Sequence, residues 1–125
     1  MNRQKSFGQG NPELAIYAEN LFAPVDALLD RIQKRSIEAG LPEIQVGPMD
    51  GRHLEILCRL LQPKRAVEIG TLGGYSALCI LRGLAPGGKL YSFEKNERHA
   101  AIARINLEDA RATENSSYSF EIHVG

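Results

Sequence analysis

Residues 66–76 read AVEIGTLGGYS: a short apolar run enters an acid-x-Gly-x-x-Gly-Gly turn and passes directly into a helix-like segment. Ala66, Val67 and Ile69 suit a buried parallel strand, and Gly70, Gly73 and Gly74 let the backbone turn sharply and come within contact distance of a ligand. A second apolar run, Leu90, Tyr91 and Phe93, also ends on an acid, Glu94. As a parallel neighbour of the first run it would present that carboxylate to ribose hydroxyls. Acid, glycine turn and second acid together point to a nucleotide-bearing cofactor.

Working outward, the pattern after residue 64 is strand (65–69), glycine turn, helix (75–84, with Ala77, Leu78 and Leu81), a turn at Ala85-Pro86-Gly87-Gly88, and strand (89–93). Asn96 can cap a helix that runs to about residue 112 with Ala101, Ile102 and Ile105 inward, and Asn115-Ser116-Ser117 breaks the chain before a last strand at 118–124. Upstream, the first ten residues are polar and read as an arm. Asn11-Pro12 opens a helix with Leu14, Tyr17 and Leu21 in register, and Pro24 restarts the pattern with Val25, Leu28, Leu29 and Ile32 as an apolar stripe. A third helix follows Asp50, carries Leu54, Leu57, Cys58 and Leu61 on one side, and stops before Pro63. Alternating strands and helices with short loops predict an α/β, Rossmann-like fold: N-terminal helices, then a partial β-α-β-α-β parallel sheet joined by right-handed crossovers. The expected division is an arm and helical cap over 1–43 and a partial cofactor-binding domain over 44–125.

Composition narrows the function classes. The 125 residues include 43% hydrophobic ones, enough for a core, and no run approaches a membrane span of roughly 18 to 20 apolar residues. No secretory signal opens the chain, so a cytoplasmic protein is expected. Fifteen basic and fifteen acidic residues cancel and are scattered, which argues against nucleic acid and membrane surfaces and for a small-molecule partner. Cys58 and Cys79 lack C-x-x-C spacing and read as buried free thiols. His53, His99 and His123 are isolated in sequence and receive no catalytic role.

The register of the turn separates the nucleotide alternatives. A dinucleotide fingerprint requires G-x-G-x-x-G, but two residues after Gly70 stands Leu72, and position 75 is Tyr. A P-loop requires Gly-Lys-Ser/Thr, but Gly74 is followed by Tyr75 and Ser76. With both phosphate cradles failing, S-adenosylmethionine (SAM), which has no phosphate, fits better than NAD. Glu94 suits its ribose diol and Glu68 the polar shell around its amino-acid group.

At this point the chain resembles the class I SAM-dependent O-methyltransferases of the catechol and caffeoyl-CoA type and their bacterial relatives. The likeness runs from about residue 44 to the last: IQVGPMDGRHLEIL resembles the segment leading into the first Rossmann helix, VEIGTLGGYSA motif I, KLYSFEKN the ribose-binding strand and FEIHVG the third strand. Carried over by position, it implies SAM contacts from Val46, Glu68, Gly70, Thr71, Ser76 and Glu94, the last standing where many bacterial members have Asp. Taken singly, Val46 would read as core, Thr71 and Ser76 as turn and helix-start residues, and Glu68 as a helix cap.

The resemblance also implies transfer of a methyl group from SAM to a hydroxyl, phenolic or catechol-like, of a small molecule, with help from a divalent Mg-type cation. The family's adenine contact and metal ligands would fall past residue 125, so the expectation is a chain truncated to the donor half, with no catalytic or metal residue of its own. A homo-oligomer is expected. The alternative is a non-catalytic SAM-binding or methyltransferase-like module completed by a partner chain.

Overall fold

The computed structural model describes residues 10–24 and 26–125; Val25 and all but the last residue of the N-terminal arm lie outside the described residues. The elements are α1 (Pro12–Phe22), α2 (Ala27–Glu38), α3 (Pro48–Leu61), β1 (Arg65–Ile69), α4 (Tyr75–Gly83), β2 (Lys89–Glu94), α5 (Glu97–Thr113) and β3 (Ser119–Val124). Three helices start on side-chain caps: Asn11 accepts from the N–H of Glu13, Asp26 from Leu28 and Leu29, and Asn96 from Arg98.

The strands are parallel in the order β1-β2-β3, with Arg65, Lys89 and Ser119 in register. Because side chains alternate along a strand, Ala66, Leu90, Phe120 and Ile122 turn to one face, where they meet Leu78, Leu81, Leu107 and Ala110 of α4 and α5. Val67, Ile69, Tyr91 and Phe93 turn to the other face, and there Ile69 is 81% exposed. A doubly wound sheet carries helices on both faces; here α4 and α5 share one.

Buried on all sides, α4 is the centre of the molecule, its Ala77, Leu78, Cys79 and Leu81 lying between the sheet and the N-terminal helices. Close approach to α3 requires Gly83, where a Cβ would stand 2.4 Å from that of Cys58 and 2.7 Å from the carbonyl of Glu55. On α3 the inward residues are therefore Gly51, Leu54, Glu55 and Cys58, whereas Leu57 and Leu61, expected beside them, are exposed.

Two other helices also differ from expectation in phase. On α1 the stripe of Leu14, Tyr17 and Leu21 faces outward, and Ala15 and Glu19 are buried. On α5 the inward residues are Ala100, Ala103, Asn106, Leu107 and Ala110; Ala101 is exposed and Ile105 is 53% exposed. Small side chains let this helix lie close to the glycine turn, so bulk was the wrong guide to its inner face. No helix among the described residues is long and apolar enough to cross a membrane.

Candidate functional site

The carboxyl ends of β1 and β2 lie side by side, with Glu68 opposite Ser92 and Ile69 opposite Phe93. The chain leaves β1 still stitched to β2, because the N–H of Gly70 donates to the carbonyl of Phe93 at 2.8 Å. Gly70 has φ +91, and a Cβ built there would meet nothing within 4 Å. The left-handed backbone thus borders open space, which lets a ligand reach the main chain.

Glu68 gathers hydroxyls. Ser76, at the start of α4, donates to its Oε2 at 2.6 Å, and Ser92 donates to its Oε1 at 2.7 Å. Thr71, almost fully buried, stands with its Oγ1 2.5 Å from the Oγ of Ser92. Burial is the main influence on the Glu68 carboxyl and raises its pKa; the two serines act the other way, and the charge of Glu94 adds to the rise.

Glu94 gathers backbone instead. Only 7% exposed, it accepts from the N–H of Leu72 through Oε2 and from that of Asn96 through Oε1, each at 2.9 Å, with His99 Nδ1 3.7 Å away. Burial alone would raise its pKa, but the N–H groups of Asn96 and Leu72 and the charge of His99 outweigh it and hold the carboxyl below its ordinary range. Leu72 itself sits at φ +49, a strained backbone for a branched residue, and its bond to Glu94 supports that conformation. A carboxylate offers about four acceptor positions, so Glu94 keeps acceptor capacity beyond these contacts.

The turn is also held from below. Asn106, fully buried in α5, donates through Nδ2 to the carbonyl of Gly73 at 2.8 Å and accepts from Arg35 Nη1 of α2 at 2.9 Å. Arg35 pairs in turn with Asp109 at 3.2 Å.

Of the six residues predicted from sequence, Glu68, Gly70, Thr71, Ser76 and Glu94 converge on the turn. Val46 is half-buried in the segment before α3 and packs against the apolar core. Ser92 and Asn106 were missed. Each had a signal, a polar residue at a core position: Ser92 shares the inward phase of Leu90, and Asn106 lies on the alanine face of α5.

The cysteines are free. Burial pushes the Cys79 thiol up to about 12 and raises that of Cys58, so neither is poised as a thiolate. His123 stacks on Phe93 with ring centroids 5.0 Å apart. Among the described residues no group of three or more His, Cys, Asp or Glu side chains is placed to hold a metal ion.

Known proteins resemble this chain in sequence and architecture. The profile of the O-methyltransferase family matches residues 20–120, a span that takes in all six predicted site residues. The chain belongs to the O-methyltransferase family. A catechol O-methyltransferase of Niastella koreensis is 37% identical over 97 residues, covering 78% of this chain and 44% of that protein. The catechol O-methyltransferase of Mycobacterium tuberculosis is 34% identical over 99 residues, 79% of this chain and 45% of that one. This chain therefore spans about half the length of the curated relatives it matches. Among solved structures, the O-methyltransferase from Bacillus cereus in complex with SAH superposes with a TM-score of 0.83 at 34% identity, covering 90% of this chain and 50% of that one. TomG of Streptomyces achromogenes, in complex with SAM, gives 0.78 at 33% identity, with 90% and 49% covered.

Proposed function

We propose that this chain supplies the SAM-binding part of an O-methyltransferase that moves a methyl group from SAM to a hydroxyl oxygen of a small molecule, phenolic or catechol-like. The observation that carries this reading is the convergence of two carboxylates, Glu68 and Glu94, on an open glycine turn at the carboxyl ends of adjacent parallel strands, where α/β sheets of this type take their ligands. Family membership supports it, as do the SAH and SAM in the related structures and the catechol named in the sequence relatives.

The residues present fit such a cofactor. The remaining acceptor positions of Glu94 suit a ribose diol, and Glu68 with Ser76 offers charge and hydroxyl to an amino-acid head group. Gly70 and Thr71 bring backbone close, and Val46 adds an apolar wall. SAM, when bound, supplies an electrophilic methyl on its sulfonium; the residues of this chain bind and orient that donor. No metal ligand is assigned among them.

Calorimetric titration of the chain with SAM and, separately, NAD tests the reading. Saturable heat with SAM and none with NAD is expected, and the converse would overturn it.

A further inference from the structure

On the far side of α4 from the glycine turn lies a cavity of about 370 Å³, lined from α1, α2, α3 and α4. The helix itself divides the two regions. Ser76 turns toward β1 and reaches Glu68, while Tyr75, Cys79 and Arg82, spaced at i, i+4 and i+7, line the cavity.

Four polar side chains on the wall are each only 6% exposed: Glu19, Gln33, Glu55 and Tyr75. Glu19 Oε1 is fully buried with no hydrogen-bond partner, the one such side-chain atom among the described residues. Buried polar groups are almost always satisfied, so an orphaned carboxylate oxygen on a cavity wall calls for something that satisfies it.

Charge narrows what that is. Asp26 pairs with Arg82 at 2.7 Å, Asp30 with Lys34 at 2.7 Å, and Glu55 with Arg59 at 2.8 Å and Arg52 at 3.3 Å. Among the lining carboxylates Glu19 is the one with no ion pair to a described residue. The rest of the wall includes Leu29 and Pro48, suited to an apolar body, and the volume falls in the range of about 300 to 1,000 Å³ that holds small ligands.

We propose that this cavity is a second ligand site that takes a small organic amine carrying one positive charge, its ammonium on Glu19 and its apolar body between Leu29 and Pro48. Gln33 and Tyr75 supply the further polar contacts. The site is independent of the SAM reading.

Amide chemical-shift titration of the chain with benzylamine, benzyl alcohol and benzoate tests it. Benzylamine should shift the amides around Glu19, Gln33 and Tyr75 saturably and bind at least ten times more tightly than the alcohol, with benzoate inert. Glu19→Gln should abolish the preference for the amine. Should that variant fail to fold, Leu29→Trp, which fills the space, should abolish benzylamine binding altogether. Equal binding of amine and alcohol, full amine affinity in either variant, no saturable shift (a cavity that holds water only), or shifts confined to Gly70, Thr71 and Glu94 would each overturn the proposal.

Discussion

Glu68, next to last in β1, is met by the hydroxyls of Ser76 and Ser92, whereas Glu94, ending β2, is met by the N–H groups of Leu72 and Asn96. Hydroxyls rotate and can give their bonds to a newcomer; backbone N–H groups cannot turn away unless the loop moves. The same side chain, at the same end of two neighbouring strands, is thus an adaptable polar contact in one place and a brace of the main chain in the other. The opposite directions of their pKa shifts follow, since burial prevails at Glu68 and fixed donors prevail at Glu94.

The largest effect should come from removing the brace. Glu94→Ala leaves two backbone donors without acceptors and Leu72 unsupported in its left-handed conformation, so chemical denaturation should show a loss of about 2 to 4 kcal/mol. Calorimetry should show SAM affinity lower by at least about tenfold, as charged hydrogen bonds to the ribose are lost. A variant that melts and binds like the parent would reduce Glu94 to an ordinary acid and end the contrast.

Glu68→Gln sharpens the comparison with a smaller change. The amide keeps an acceptor for one serine and removes a charge that burial disfavours, so the stability cost should stay below about 1 kcal/mol, with SAM affinity reduced by less than in Glu94→Ala. An equal loss of stability in the two variants would show that both acids brace the turn.

The smallest effect is on pH dependence, where the signs oppose. Folded Glu94 holds its proton less readily than the unfolded side chain, so its contribution is present above the ordinary value of 4.5 and is lost as pH falls through its lowered folded value. Folded Glu68 holds its proton more readily; the penalty of its buried charge is present above its raised folded value and is relieved as pH falls. In thermal melts between about pH 6 and pH 3, Glu94→Gln should therefore lose less stability on acidification than the parent, and Glu68→Gln should lose more. Identical slopes for all three would remove the electrostatic half of the distinction.

Much of this architecture is written locally. The strand and turn boundaries around residues 65–94 are legible because apolar β-formers alternate with clustered glycine and proline, and the helix starts at Asn11 and Asn96 carry their own caps. The phase of α5 was not legible by bulk, since Ile105 is large yet faces out while three alanines face in. At the site, the acids and glycines could be read from spacing. Their partners could not: Ser92 meets Glu68 across 24 residues and Asn106 meets Gly73 across 33, distances in sequence that only the packed layers close. The bracing role of Glu94 was hidden for the same reason, as it depends on where a left-handed Leu72 aims its N–H.

The row of oxygens from Ser76 through Glu68 and Ser92 to Thr71 has a direction. An ionised carboxylate donates nothing, so Ser76 and Ser92 must each give it their single proton. Ser92 then has none left for its other neighbour, and across the 2.5 Å contact Thr71 Oγ1 must be the donor. Thr71 therefore meets anything else that approaches it as an acceptor only, and a newcomer must bring its own N–H or O–H. Protonating Glu68 would let the sense of the row reverse and free the Thr71 proton, turning a group that selects donors into one that welcomes acceptors.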